Sequence, residues 1–520
     1  YHSLMTYNRN HMSYSKKKTA QTIKVAFAAL SLSIMACSYE APEVPEPAVQ
    51  ALQDADISNT VFLGGTLFSG VSNGVLVDGT SSLSVPQIFL NSLDNNDEVL
   101  DFSANSSNSI GFNLYENGNN LNGSIGPYQL TFPAGADTTF FQEFVAGETF
   151  AYAPVNDAIK NYAFPKAQVL DFTVAARTEN TFINSYLGAN AQSPVDQISG
   201  TQPSFFVLNL GLEDILGYTV TGAEGNIDQA DPLAHTYGDV LNTAVFESNL
   251  TAVVNELLSN PNAKGALVNI PDFLKFPFFT EVEFDITPYV LPLSAKLNAM
   301  RNSASQYNQA LSNYYNNNPG IPFADRRPGI FFPGDSPFTW GIVVEDNSLP
   351  DIIVNGQPLV KVRQAIREEL IFYRHERFLS NTGGNTPSNA ISESEYIKLE
   401  EITAIRAKIT EYNQAIEQVA AMSNGNVVVI DLFSYFEELY TGFNQFLDIA
   451  AQGTDIEGVA YLPIVGEFGI FSADGLNLNP RGNALIVNKI VEALNMNFNG
   501  NLSGVNPNDF AGTPINLSDN

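Results

Sequence analysis

Five short apolar runs punctuate the chain: Thr60–Leu63, Val169–Val174, Ser204–Leu210, Gly265–Ile270 and Val427–Leu432. Their apolar residues are continuous rather than alternating, which predicts strands buried on both faces, as in a parallel sheet. Between and after them, Asp239–Ser259, Tyr289–Tyr315 and Tyr396–Met422 carry apolar residues at helical spacing. A last helix is predicted to start near Pro480, with Asn479 as its cap, and to run to about Leu494. Strands alternating with helices predict an α/β fold built on a doubly wound five-stranded parallel sheet, with ligands at the carboxyl ends of the strands.

Two long insertions break this rhythm. Residues 82–165 are rich in Asn, Gly, Ser and aromatics, and predict small hairpins and surface loops. Residues 316–395 hold Pro/Gly turns, the single tryptophan Trp340, and a predicted hairpin through Ile352–Val362. Loops of this length commonly carry function or bind partners. No internal repeat is evident.

Composition then places the chain. Of 520 residues, 44% are hydrophobic, enough for one large or two modest cored domains, and only 15% are charged. That balance, with abundant Asn, Gly and Ser, suggests an extracytoplasmic protein with long neutral loops. Lys and Arg number 24 against 55 Asp and Glu. Five of the basic residues (Arg9, Lys16, Lys17, Lys18, Lys24) precede Cys37 and no acid does, so the chain beyond it carries 19 against 55, a balance of −36. Such a surface repels nucleic acid and anionic lipid, and otherwise serves solubility.

Residues 16–37 read as a lipoprotein signal: a basic stretch, an apolar segment Val25–Ala36 too short for a comfortable membrane span, and Ile34-Met35-Ala36-Cys37, which resembles a lipobox. Cys37 is the only cysteine, which excludes an intrachain disulfide and makes it the expected lipidation site. Residues before Met12 are expected to lie upstream of the true start. The Pro/Glu-rich stretch after Cys37 predicts an extended tether over 37–59, followed by a domain over 60–500 and a tail over 501–520.

Two motifs point to chemistry. Phe62–Gly74 reads FLGGTLFSGVSNG, an apolar run opening into a helix-like stretch, and Asp474–Asn483 reads DGLNLNPRGN. With Val268–Thr280, VNIPDFLKFPFFT, these blocks resemble the SGNH/GDSL hydrolases, in particular lipoproteins of Bacteroidota. The resemblance runs from about Thr60 to Leu494 and implies a flavodoxin-like strand order. In that family a Ser nucleophile, a second-block Gly, a third-block Asn and a His form the site, with an Asp near the His. Carried over, the Ser falls on Thr66, the Gly near Ala176, the Asn on Glu213 beside Asp214, and the His on Asn477, while Asp474 keeps its acid.

Each departure has a consequence. A hydroxyl is a weak nucleophile without an adjacent base, and Asn cannot accept a proton at neutral pH. Loss of the base costs on the order of 10⁴–10⁶ in turnover. Loss of one oxyanion donor costs roughly 10²–10³. Beyond Cys37 the only histidines are His235 and His375, both read as satisfied or solvated, with His235 the one candidate for a relocated base. Ser72 in Gly70–Gly74 matches G-x-S-x-G, and Ser336 sits in a Gly-Asp-Ser triplet, but neither follows a strand as an elbow nucleophile must. Glu213, Asp214, Asp272 and Asp474 are candidates to converge and hold Ca²⁺ or Mg²⁺, or to form a glycosidase-like pair; the plainer expectation is that Asp214 and Asp272 cap helices or turns while Glu213 faces water.

The expectation is therefore a surface lipoprotein of the outer membrane, anchored through Cys37, using a retired hydrolase frame as a binding or assembly subunit of an envelope complex. No metal, no cofactor and no nucleic acid enters that reading. The competing readings are an ester hydrolase acting through Thr66 with help from His235 or Asp474, and a cleft that binds a ligand without turnover.

Overall fold

The computed structural model describes residues 50–520 except 77–81, 94–124, 132–140, 147–159, 175–179, 181–182, 184–191, 287–293, 333–339, 374–383, 442–452, 457–458 and 517–520. Cys37, Ala176, Ser336 and His375, with the signal and most of the tether and first insertion, lie outside the described residues. The central sheet comprises β1 (Thr60–Gly64), β2 (Asn161–Ala163), β3 (Phe205–Asn209), β4 (Lys264–Val268) and β5 (Val427–Ile430). Its order is β2-β1-β3-β4-β5 and every pairing is parallel. β1 and β3 are buried along their whole length, as their uninterrupted apolar character dictates. The chain steps from β1 to β2 on one side and then jumps back past β1 to β3. The carboxyl ends of β1 and β3 therefore flank the topological switch point, where open α/β sheets offer a crevice.

One predicted strand is corrected. Val169–Val174 does not join the sheet; Val169–Thr173 forms a helix. Its start is held by two carboxylates: Asp171 accepts the Gln168 N–H at 2.8 Å, and both oxygens of Asp214 accept the Val169 N–H at 3.1 Å. Acceptors at a helix N-terminus satisfy its orphan donors and favour helix over strand. The strand that takes its place, Asn161–Ala163, is a three-residue edge strand with too little apolar length to stand out.

Eleven helices appear among the described residues, labelled in chain order α1 (Thr66–Ser69), α2 (Val85–Ser92), α3 (Val169–Thr173), α4 (Pro194–Ser199), α5 (Leu212–Val220), α6 (Thr243–Leu257), α7 (Pro277–Thr280), α8 (Ser294–Asn317), α9 (Leu399–Met422), α10 (Leu432–Thr441) and α11 (Pro480–Asn497). α6 packs with α3, α4 and α9, while α11 packs with α2, as in a doubly wound α/β arrangement. Phe246 of α6 stacks on Tyr412 of α9 with ring centroids 3.8 Å apart, and the Tyr412 hydroxyl donates to the Leu241 carbonyl. α11 starts where expected, with the Asn479 side chain accepting the Gly482 N–H at 3.0 Å.

The domain is longer than 60–500. The Ala51 N–H donates to Asn501 Oδ1, and Ile515–Asn516 pairs with Ile125–Thr131. Both the last residues of the expected tether and the expected tail thus fold onto the sheet domain. In the second insertion a tight hairpin joins Ile353–Val354 to Gln357–Pro358. Its two turn residues, Asn355 and Gly356, have φ of 52° and 79°, the left-handed pair that Asn-Gly supplies most readily.

Candidate functional site

The crevice at the switch point is built from three turns. β1 ends in Gly64 and runs through Gly65 into α1, whose first residue is Thr66. A Cβ on Gly64 would stand 2.8 Å from the Asn209 carbonyl oxygen, so only glycine lets β1 lie this close to the end of β3. The second turn follows β2 and contains Lys166, whose φ is 60°. The third follows β3, where Gly211 at φ 105° reverses the chain into α5 and sets Glu213 in its first turn.

These turns meet at Thr66. The Thr66 N–H donates to Glu213 Oε2 at 3.4 Å, and its hydroxyl reaches the same carboxylate. The Lys166 backbone N–H donates to Thr66 Oγ1 at 3.1 Å. The Tyr237 hydroxyl donates to Glu213 Oε1 at 3.0 Å, and the Lys166 ammonium lies 5.1 Å from the centre of the Tyr237 ring. Thr66 is 3% exposed and Glu213 2%, so the crevice is filled by its own side chains, with half-buried Lys166 and Tyr237 outermost. Glu213, expected to face water, points inward instead. Burial pushes its carboxyl above the usual carboxylate range, against the pull of the Tyr237 and Thr66 hydrogen bonds and the Lys166 charge. Burial also lowers the Lys166 ammonium to about 8, partly offset by the Glu213 charge.

A second cluster forms at the C-terminal motif. Asp474 accepts the Leu476 N–H at 2.8 Å, the Asn477 N–H at 2.7 Å, the Asn477 side-chain amide at 2.9 Å and the Gly74 N–H. Asn73 adds two bonds of 2.8 Å, donating its N–H to Ser472 Oγ and accepting the Ala473 N–H. The turn after α1 is therefore stitched to the loop holding Asp474 and Asn477. Burial pushes the Asp474 carboxyl up, and the hydrogen bonds from Asn477, Leu476 and Gly74 pull it back. Among the described residues Thr66 and Asn477 share no hydrogen bond.

The four acids do not converge. Asp214 caps α3 and also accepts the Gly211 N–H at 3.2 Å, and Asp272 pairs with Arg406 at 3.1 Å. No group of three or more His, Cys, Asp or Glu among the described residues is placed to share a metal ion. His235 is buried and interacts electrostatically with Asp239; the groups that touch the Thr66 hydroxyl are Lys166 and Glu213. Ser72 is buried in a tight bridge with Val75, away from any strand end.

Lys166, Tyr237 and Asn209 of this site escape the sequence pattern. Lys166 was missed because the second turn was hung on Val169–Val174, eight residues too late. Asn209 ends β3, is buried, and has no hydrogen-bond partner among the described residues for either atom of its side-chain amide. A polar residue closing the apolar run FFVLN was the available signal for it. No family model, no curated protein and no solved structure matches the chain.

Proposed function

We propose that this protein is a non-catalytic binding or assembly subunit, an SGNH-hydrolase-like frame carried at the outer-membrane surface by a lipid on Cys37. The observation that carries this reading is the filled crevice. Thr66 and Glu213 are buried against each other, and Tyr237 and Lys166 occupy the space over them. A substrate ester would have to displace a buried carboxylate from its hydrogen bonds before reaching the hydroxyl. Asn477 gives its amide to Asp474 and supplies no base. A charged Glu213 beside the hydroxyl would also repel a developing oxyanion. The function is then sought on the outer surface, where the second insertion exposes Phe323, Phe331 and Ile353.

The test is a panel of chromogenic acyl esters at pH 6 to 9 with wild type and Thr66→Ala. The expected result is turnover at the blank level for both. Turnover that Thr66→Ala removes would overturn the reading. Chemical crosslinking in intact cells, with wild type and Cys37→Ala, addresses assembly: the expected result is a discrete high-mass adduct that depends on the anchor.

A second reading has one observation in its favour. The Thr66 hydroxyl lies on the carboxylate of Glu213, whose affinity for protons is raised by burial. That pair makes Glu213 the base of a divergent ester hydrolase, provided Lys166 and Tyr237 swing aside. Glu213→Gln would then abolish any turnover that Thr66→Ala abolishes.

A further inference from the structure

Residues 323–331 of the second insertion and the face of α8 opposite them line an open pocket of about 570 Å³. That is the size range of small-molecule pockets, roughly 300–1,000 Å³, and larger than any single side chain. Its floor is apolar: Leu311 and Tyr315 lie one helical turn apart on the buried face of α8. Phe331, 57% exposed, and Phe323, 88% exposed, stand at its edges. Asn308, the amide in the lining, is already occupied, donating to the Ile330 carbonyl and accepting the Ile330 N–H.

The wall is cationic. The Arg326 guanidinium lies 5.0 Å from the centre of the Tyr315 ring and donates from Nε and Nη2 to the Ile321 carbonyl. Arg327 is 4% exposed, and its guanidinium donates to the carbonyls of Pro350, Leu359 and Val360. Among the described residues neither arginine has a carboxylate within ion-pair distance. Asp325 is exposed and makes no such pair; Asp351 is paired with Lys361 at 2.9 Å and feels the Arg327 charge only at longer range, which leaves Arg326 as the uncompensated cation. Buried or half-buried charges normally carry a counter-charge. Arg326, held by a neutral carbonyl and an aromatic ring with no carboxylate in ion-pair range among the described residues, is therefore conspicuous in a chain of net charge −31.

We infer that this cavity is a binding site for an amphipathic organic anion, with its acyl or aryl body on Leu311, Tyr315 and Phe331 and its carboxylate at Arg326. The apolar floor supplies contact area, and the guanidinium edge not used by Ile321 supplies a charge-assisted hydrogen bond. The site uses none of the residues at the switch point, so it stands whether or not Thr66 is catalytic.

Calorimetric titration of the full chain with octanoate and with its neutral counterpart octanamide tests the inference. Octanoate is expected to bind about tenfold more tightly, the lower end of what a hydrogen bond to a charged group contributes. Arg326→Gln should erase that preference and leave octanamide binding unchanged. Phe331→Ala, at an exposed position that tolerates truncation, should weaken both ligands together. Thr66→Ala should change neither. The inference is overturned if octanoate binds no better than octanamide, if the preference survives Arg326→Gln, or if neither ligand binds.

Discussion

The carboxyl end of the sheet and the second insertion use polar and apolar side chains in opposite ways. At the sheet end, Glu213 and Asp474 are buried and every oxygen of theirs is met by a donor from the chain itself. In the insertion, Phe323 and Phe331 face water, and the guanidinium groups of Arg326 and Arg327 donate to neutral carbonyls. The insertion is nevertheless firmly built: Arg363 lies between Asp346 at 2.6 Å and Glu369 at 2.5 Å, and Lys398 meets Glu393 at 2.6 Å. The difference teaches that a crevice offered by strand order can be closed by its own side chains while exposed rings and cations gather on an insertion. The crevice inherited from topology is spent on internal hydrogen bonds, and the open surface lies on an appendage with its own ion-pair network.

The largest expected effect tests whether the closed region is mortar. Asp474→Ala leaves four donors without their acceptor and separates the Asn73–Gly74 turn from the C-terminal loop. Urea unfolding should show a loss of about 4 kcal/mol. A loss below about 1 kcal/mol would mean that water replaces the carboxylate and that the region is open after all. Next comes Arg363→Ala, which removes the cation shared by two largely buried carboxylates, leaving Asp346 to Lys398 at 3.6 Å and Glu369 to the Ile366 N–H, and should cost about 3 kcal/mol. A negligible cost would make the insertion a loose loop and remove the rigid support its exposed rings require.

The pH dependence sharpens the same contrast. Burial raises the Glu213 pKa in the folded state above its unfolded value. The fold therefore binds that proton more tightly, and its contribution to stability is full below the unfolded carboxylate range and lost as pH rises through the folded pKa. Glu213→Gln mimics the protonated form. It should match wild type near pH 4 and become the more stable protein as pH rises above that. Lys166 behaves as a depressed base: the ammonium is disfavoured in the fold below about 8, and wild-type stability should climb between about 8 and the unfolded value of 10.5. Lys166→Met should flatten that climb. Unfolding midpoints at pH 4, 7, 8.5 and 10 check both signs.

Four of the five strands are legible because burial, complete along β1 and β3 and partial along β5, leaves an unbroken apolar run. β2 is not, since an edge strand of three residues leaves no such trace. The run at Val169 misled for a physical reason. Whether VLDFT becomes strand or helix is decided by Asp214, 45 residues away, whose oxygens meet the Val169 N–H. The frame Asp474–Asn477 was visible locally, but its union with Asn73 and Gly74 spans about 400 positions and no spacing rule reports it. The inward turn of Glu213 depends likewise on Tyr237, on a separate loop. Sequence patterning reports what one element buries; it does not report which acceptor a distant loop brings to it.

The smallest expected effect lies at the most exposed ring. Phe323 is 88% accessible, so its side chain stays in water in both the folded and unfolded states and burial contributes almost nothing there. Phe323→Ser keeps the backbone carbonyl that accepts the Arg326 N–H and so preserves the tight turn Phe323–Asp325. The unfolding free energy should move by no more than about 0.5 kcal/mol, as for other exposed substitutions without special contacts. A destabilisation beyond about 1 kcal/mol would place the ring against the protein rather than the solvent. The insertion would then be as closed as the sheet end, and the contrast between the two regions would fail at the residue where it is most pronounced.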